Sequence, residues 1–165
     1  EIPLRLVGSE MCIRDRDSKA SQLALSLIDE DTVDVDALQQ IYDYVVSNLT
    51  YDYEKADTVT TGYLPDVDET LKTGTGICFD YAALTTAMLR SCDIPCKLQI
   101  GYAGDIKHAW IDVYIRSKGW VNQAVSFKGD TWTLMDPTFD SNSDDKEAIQ
   151  DYIGDESNYT VQFTR

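Results

Sequence analysis

The sequence contains four cysteines and a single histidine, His108. A thiol and an imidazole together can attack a carbonyl carbon, because the imidazole takes the thiol proton and later protonates the leaving group. A metal site built from several histidines is excluded within one chain. The search for catalytic residues therefore reduces to the question of which cysteine would work with His108.

Cys78 has the sequence context expected of a nucleophile. It follows Gly76 by two residues and begins a helix-compatible, mostly apolar stretch over residues 77–91. A helix N-terminus lowers the pKa of a thiol through its N–H groups and macrodipole, and the N–H of Cys78 could help to hold an oxyanion. Cys92 lies at the opposite end of this helix, where the dipole disfavours a thiolate, and Cys96 begins a strand.

A catalytic imidazole also needs a third group to fix its tautomer. Asp112 shares the predicted strand of His108, but at ~3.3 Å per residue it would lie ~13 Å away. We therefore expect the carboxylate to come from a neighbouring strand. Asp136, at a predicted strand end, is the first candidate, while Asp105 and Asp140 are weaker because each lies in a polar loop.

These residues must be positioned by helices that come first and strands that follow, which predicts an α+β domain. Apolar spacing predicts helices over residues 18–28 and 77–91, and an amphipathic helix with an acidic N-cap from Asp34 or Asp36. Alternating patterns predict strands over residues 96–102, 107–116, 120–127, 131–136 and 159–163. Residues 51–68 are polar and are predicted to be a long loop that forms a wall of the site.

Composition limits the class of partner. The chain has 165 residues, which fits one domain, and its formal net charge is −15. Nucleic acids and anionic membranes require a basic protein face, so neither is expected as a partner. No apolar run approaches the roughly 20 residues of a membrane-spanning helix.

Residues 4–16, LRLVGSEMCIRDR, resemble a translated sequencing-adapter segment found at the ends of reading frames assembled from environmental DNA. We therefore expect residues 1–16 to be non-native and residues 17–165 to form one domain. On this interpretation Cys12 leaves the cysteine count, and an export signal would be missing from the sequence.

Three ordered motifs resemble those of the transglutaminase-like superfamily. They are GTGICFDYAALTTAMLRSCDIPCKLQIGYAG, HAWIDV and WTLMDPTF, within a match over about residues 33–165. The resemblance implies a papain-like core, in which a central helix with Cys78 packs on an antiparallel sheet that carries His108 and Asp136. It also implies a cofactor-independent cysteine enzyme that transfers acyl groups of protein, peptide or peptidoglycan-peptide substrates through a thioester, with hydrolysis slightly favoured over cross-linking. The motifs are most similar to secreted or lipid-anchored bacterial proteins, so we expect a monomer outside the cell or attached to its envelope.

Some positions depart from the family pattern. Asp93 replaces the glycine before Ile-Pro, which should shift that turn but not the site. Lys72 stands where a papain-like enzyme would have a glutamine, so the second oxyanion donor is unassigned. The hydroxyl of Tyr51 or Tyr53 is a candidate for that donor, and Trp110 is a candidate for substrate contact.

Asp80 matches the aspartate that follows the family's cysteine. We expect it to stabilise the positive end of the helix.

Other interpretations remain open at this stage. One alternative is a binding or structural module that retains the transglutaminase-like fold without turnover. A zinc site could use Cys92, Cys96 and His108, although the spacing is atypical and a fourth ligand is missing. Cys92 and Cys96 could instead form a disulfide, which would be strained at such short spacing.

Overall fold

The structure, a computed structural model, describes residues 18–29, 31–103, 106–128, 131–134 and 159–164. Its helices are α1 (Lys19–Leu27), α2 (Asp34–Asn48), α3 (Tyr53–Thr58), α4 (Val67–Thr73) and α5 (Cys78–Ser91). Its strands are β1 (Thr50–Tyr51), β2 (Thr75–Gly76), β3 (Cys96–Ala103), β4 (Ile106–Ile115), β5 (Gly119–Lys128), β6 (Thr131–Leu134) and β7 (Tyr159–Thr164). The predicted α+β class is confirmed.

The larger sheet has the strand order β6-β5-β4-β3-β7, and its neighbouring strands are antiparallel. β4 is therefore central, and its alternating residues Ala109, Ile111, Val113 and Ile115 are all buried. Trp110 and Asp112, which alternate with them, are buried as well. β1 and β2 form a separate parallel pair just before α5. None of the helices in the described ranges is long and apolar enough to cross a membrane.

α5 is the central helix of the domain. It contacts α1, α2 and α4 as well as β3, β4 and β5. Its residues from Tyr81 to Leu89 are all at most 1% exposed. A helix that is apolar or small on every side must be enclosed in this way, because each face otherwise exposes apolar surface to water.

Two local expectations are wrong. Residues 51–68 are not one irregular loop, since they contain α3 and the start of α4. The N-cap of α2 is Val33 rather than an aspartate. The carboxylate of Asp34 instead accepts from the Arg116 backbone N–H (2.9 Å) and guanidinium (2.6 Å to Nη2), which joins α2 to the end of β4.

Asp93 lies in the turn that follows α5, and whether it shifts that turn relative to the family stays a prediction. Its φ of 56° is the left-handed conformation that glycine favours. The Asp93 N–H donates to Arg90 O and the Ile94 N–H donates to Leu89 O, which together form a Schellman motif. An aspartate thus occupies a position that suits glycine, at a helix end where negative charge is unfavourable.

We predict that Asp93→Gly raises the free energy of unfolding by about 1 kcal/mol, because it removes left-handed backbone strain and a charge from the helix C-terminus. For a domain of this size the melting temperature should rise by about 2–4 °C. Urea unfolding would measure the change, with Asp93→Asn as the control that removes only the charge. A lower midpoint for Asp93→Gly would contradict this account of the turn.

The Asp34–Arg116 pair predicts a specific pH dependence. Hydrogen bonds from Arg116 hold the pKa of Asp34 below its usual value, although burial of the carboxyl opposes them. A lowered pKa in the folded state stabilises the protein above the unfolded-state pKa, and the stabilisation is lost as the pH falls through the folded-state pKa. Asp34→Asn should therefore be less stable than wild type at pH 7, and the difference should shrink on acidification.

Asp36→Asn is the matched control, because Asp36 lies in the same first helical turn but is exposed. Denaturant midpoints would be measured from pH 7 to pH 3. A gap between wild type and Asp34→Asn that is constant over this range would refute the ion-pair explanation.

Candidate active site

Cys78 is the first residue of α5, at the N-terminal end of the buried helix. Its side chain is 6% exposed. The first N–H groups of a helix take no part in the intrahelical ladder, and they give this end of the helix a partial positive charge. The structure thus places the thiol in the setting that lowers a thiol pKa and favours an oxyanion.

The parallel pair β1–β2 fixes the approach of the chain to Cys78. Thr50 N–H donates to Gly74 O (2.8 Å), and Asp52 N–H donates to Gly76 O (2.9 Å). The pairing sets Tyr51 opposite Gly76, two residues before the cysteine. Residues that are distant in sequence are in this way brought to the start of α5.

Asp80 closes the first turn of α5, as expected from the sequence. It is fully buried, and its Oδ2 accepts from the N–H of Ile77 at 2.8 Å, so it satisfies a donor that the helix itself leaves unpaired. Gly76 is required here, since a Cβ atom at this position would lie 2.6 Å from the Asp80 Cβ. The glycine and the aspartate therefore pack against each other directly before the cysteine.

The Asp80 carboxylate has two further partners. Lys55 Nζ, on α3, lies 2.9 Å from Oδ2, and the Tyr63 hydroxyl donates to Oδ1. Burial raises the pKa of Tyr63 to about 12, with the hydrogen bond to Asp80 adding to the effect. Burial lowers the pKa of Lys55, but bonds to Tyr63 and Asp80 outweigh it, so the net shift is upward. Lys55 is therefore a cation at neutral pH.

Tyrosines surround the same helix end. The rings of Tyr51 and Tyr53 meet edge to face with centroids 5.0 Å apart. Tyr53 is 63% exposed, whereas Tyr81, one turn after Cys78, is fully buried. Burial, together with smaller contributions from the Tyr51 and Tyr53 phenols, raises the pKa of Tyr81 to about 12, so the three groups interact electrostatically. Tyr51 and Tyr53 thus lie near Cys78, and their role as oxyanion donors stays a prediction.

His108 lies on the central strand β4, where its backbone pairs with Gly101 of β3 and Lys128 of β5. Its side chain is outside the described part of the structure. In the same register Cys96 pairs with Val113, five residues further along β4. At about 3.3 Å per residue, Cys96 and His108 are about 16 Å apart along the sheet.

This separation rules out the zinc site that the sequence left open, because zinc ligands lie about 2.0–2.3 Å from the metal. The described residues also contain no cluster of three or more metal-ligating side chains. Cys92 and Cys96 are free thiols, so they form no disulfide.

Asp136 lies outside the described residues, as do Asp105 and Asp140. The last described residue of β6 is Leu134. It pairs with Val125 of β5, which in turn pairs with Ile111 of β4. The assignment of the third catalytic group to Asp136 therefore stays a prediction. Asp112 is occupied elsewhere, since its Oδ2 accepts from Gln99 Nε2 at 2.7 Å. This contact agrees with its rejection as the orienting carboxylate.

Trp110 is on β4, two residues after His108, and is 4% exposed. Its contact with substrate stays a prediction.

The other thiols are in environments that suppress the thiolate. Burial raises the pKa of Cys96 to about 11, even though Arg90 acts in the opposite direction. Burial and the charge of Asp93 raise the pKa of Cys92. Among the cysteines that the structure describes, Cys78 alone combines a helix N-terminus with a turn fixed by Asp80.

A cavity of about 480 Å³ lies at the other end of α5 and is lined by Arg90, Ser91, Asp93, Ile94, Pro95, Cys96 and Trp120. A helix of 14 residues is about 21 Å long. The cavity is therefore remote from Cys78 and is not part of the candidate site.

The family model of the transglutaminase-like superfamily matches residues 21–137, which include Cys78 and His108. The chain belongs to the transglutaminase-like superfamily. The predicted resemblance is thereby confirmed, and the match extends from α1 past the end of β6. It does not by itself establish the roles of the individual residues.

Other similarities agree with the fold of this transglutaminase-like domain. A UPF0252 protein of Methanocaldococcus jannaschii is 36% identical over 62 residues, which is 34% of this chain and 18% of that protein. A protease candidate from Parabacteroides distasonis has a TM-score of 0.52 and 17% identity, over 79% of this chain and 30% of that one. A cysteine protease candidate from Cytophaga hutchinsonii has a TM-score of 0.50 and 18% identity, over 97% of this chain and 55% of that one. The chain thus covers 55% of the Cytophaga protein and smaller shares of the other two proteins. At these levels of identity, the two solved structures support the fold alone.

Lys55 and Tyr63 are the residues at this site that sequence reasoning missed. Both lie in the segment that was predicted to be a loop. The available signal was indirect, because a buried carboxylate at the start of α5 requires a compensating positive charge or donor. Nothing in the spacing of the sequence shows which lysine supplies it.

We predict that Cys78 is alkylated faster than Cys96 in the folded protein. At pH 7 a thiol with a pKa of about 11 is ionised in only about one molecule in 10⁴, so Cys96 should react very slowly. A time course with iodoacetamide, followed by peptide mass spectrometry, would rank the three described thiols. Equal labelling of Cys78 and Cys96 would show that the helix end does not activate the thiol.

Proposed function

We propose that this protein is a cysteine enzyme that transfers acyl groups through a thioester on Cys78, with His108 as the acid–base group and Asp136 orienting the imidazole. The observation that carries the proposal is the position of Cys78 at the N-terminal end of the enclosed helix α5. Family membership supports a cysteine-based activity of this general kind. The proposed steps use only groups of the protein.

The proposed reaction has two halves. In the first, the Cys78 thiolate forms a C–S bond to an amide carbonyl carbon, and the N–H groups at the start of α5 stabilise the oxyanion. The His108 imidazolium donates its proton to the leaving amine as the C–N bond breaks. In the second, water loses a proton to His108 and attacks the thioester, the C–S bond breaks, and a carboxylic acid leaves.

We propose hydrolysis rather than cross-linking as the dominant outcome. No cleft for a lysine acceptor can be recognised from the sequence, and two solved proteins of similar fold are protease candidates. The proposed substrates are proteins, peptides or the peptide part of peptidoglycan, and the proposed location is outside the cell or on its envelope. The charge of −15 makes an anionic polymer an unfavourable partner.

An activity panel tests the proposal: peptide hydrolysis, release from peptidoglycan fragments, and incorporation of a labelled amine. Cys78→Ala should abolish each activity that wild type shows. His108→Ala should lower kcat/KM by about 10²- to 10⁴-fold, the usual contribution of acid–base catalysis. Asp136→Asn should cause a loss in kcat, whereas Asp140→Asn and Asp105→Asn should not.

Cys92→Ala is the matched control, since Cys92 lies at the opposite end of α5 and its pKa is raised. Amine incorporation without hydrolysis would overturn the proposal of hydrolysis, but it would still agree with a thioester intermediate on Cys78. Activity that survives Cys78→Ala would overturn the whole proposal. Binding of peptides without turnover in any assay would indicate a domain that retains the fold as a binding module.

A further inference from the structure

The carboxylate of Asp80 is a buried anion that lies two residues after the proposed nucleophile. It is 0% exposed and belongs to the first turn of α5. A negative charge in the same helical turn as a thiol opposes ionisation of the thiol, and the effect is larger in a poorly solvated site than in water. The sequence pattern therefore contains a conflict, because the residue that caps the helix also works against the thiolate that the helix favours.

The structure resolves this conflict with a lysine from another element. Lys55 Nζ lies 2.9 Å from Asp80 Oδ2, on the same oxygen that accepts the Ile77 N–H. The ammonium also lies 4.6 Å from the centre of the Tyr63 ring, and the Tyr63 hydroxyl donates to the other carboxylate oxygen. Only Lys55 among these three donors carries a full positive charge.

The position of Lys55 is itself fixed. Its backbone N–H donates to the side chain of Asp52, the N-cap of α3, at 2.8 Å. The backbone N–H of Asp52 in turn donates to Gly76 O, which connects α3 directly to the strand before Cys78. The Lys55 side chain is 30% exposed, so it can be replaced without opening a cavity in the core.

We propose that Lys55 is a positioning residue for the thiol chemistry: its ammonium neutralises the buried Asp80 carboxylate, so that the Cys78 thiolate forms beside a net-neutral pair. This inference rests on the proposed function in naming Cys78 as the nucleophile. It adds a specific role for a residue of α3 that acts through Asp80 and does not contact the reacting atoms.

The other ionisable side chains that the structure describes near this helix end do not substitute for Lys55. Tyr51, Tyr53, Tyr63 and Tyr81 are phenols, which carry no positive charge in either protonation state. On α4, Glu69 and Lys72 pair with each other on the exposed surface (2.9 Å), whereas the Asp68 carboxylate accepts from Ala20 N–H of α1. On the sheet side, the side chain of the predicted base His108 lies outside the described residues.

Lys55→Met tests the inference, with the rate of Cys78 alkylation measured against pH as the readout. Loss of the ammonium leaves a buried negative charge, so the apparent thiol pKa should rise by about one unit, and the rate at pH 6 should fall roughly 3- to 10-fold. Lys55→Arg retains the charge and should restore most of the rate. Lys72→Met is the matched control, since it removes a lysine from an exposed pair and should leave the profile unchanged.

Charge balance also predicts opposite effects of the two single changes. Asp80→Asn leaves Lys55 uncompensated and should lower the Cys78 pKa, while Lys55→Met/Asp80→Asn restores neutrality and should return it close to the wild-type value. A purely structural role predicts losses in both single variants and no compensation in the double. If Lys55→Met does not fold, judged by circular dichroism, Asp80→Asn tests the same inference, with a lower thiol pKa as the expected result.

The inference is overturned if Lys55→Met lowers the melting temperature but leaves the alkylation profile of Cys78 unchanged. It is also overturned if Asp80→Asn raises the thiol pKa. Because alkylation needs no substrate, a shifted profile in a protein without turnover would support the role of Lys55 while refuting the enzymatic proposal. Turnover by the wild type, together with an alkylation profile that Lys55→Met does not shift, would support the enzymatic proposal while refuting the role of Lys55.

Discussion

The buried Asp80 carboxylate is the group on which the rest of the candidate site depends, because it joins the start of the central helix to the segments around it. It accepts hydrogen bonds from the Ile77 N–H within the turn and from the Tyr63 hydroxyl in the loop between α3 and α4. It also forms an ion pair with Lys55 on α3. A buried carboxylate is costly unless it is fully hydrogen-bonded and compensated. Each of these partners is therefore required by the burial of the carboxylate, and together they fix the turn that presents Cys78.

The enclosed helix explains why such a turn can be maintained. α5 lies between three other helices and the antiparallel sheet, so it cannot tilt without disturbing packing on every side. Gly76 allows the backbone before the cysteine to approach Asp80 closely, and β1–β2 holds that backbone by strand pairing. The proposed nucleophile, Cys78, is thus positioned by the core of the domain, while the more exposed Tyr53 lies at the edge of the domain.

Motif and periodicity predicted the elements that carry chemistry. The buried character of residues 77–91 predicted α5 closely, and alternation on either side of His108 predicted the central strand, because both patterns report which faces are enclosed. The sequence was less informative about residues 51–68, where α3 is short and has no buried residue. Its helical structure depends on the Asp52 cap and on the contact of Lys55 with Asp80, and neither leaves a periodic signal.

The same reasoning applies at single residues. Asp34 matches the composition of an N-cap, but Arg116, 82 positions later, provides a stronger partner for its carboxylate. Asp93 adopts the left-handed backbone, which its residue type does not favour, because the Schellman hydrogen bonds fix that conformation. At Asp34 a tertiary contact decides the outcome, and contacts between distant residues cannot be read from local sequence preferences. At Asp93 the deciding hydrogen bonds are local to the end of α5.

The most direct test of the central claim is to trap the acyl-enzyme. The protein would be mixed with p-nitrophenyl acetate, quenched in acid and analysed by peptide mass spectrometry, with the release of p-nitrophenolate followed in parallel. The account predicts a burst of about one equivalent per chain, an acetyl group on Cys78 that is lost over time, and no burst in Cys78→Ala. The absence of a burst, or acetylation of Cys92 in place of Cys78, would contradict it.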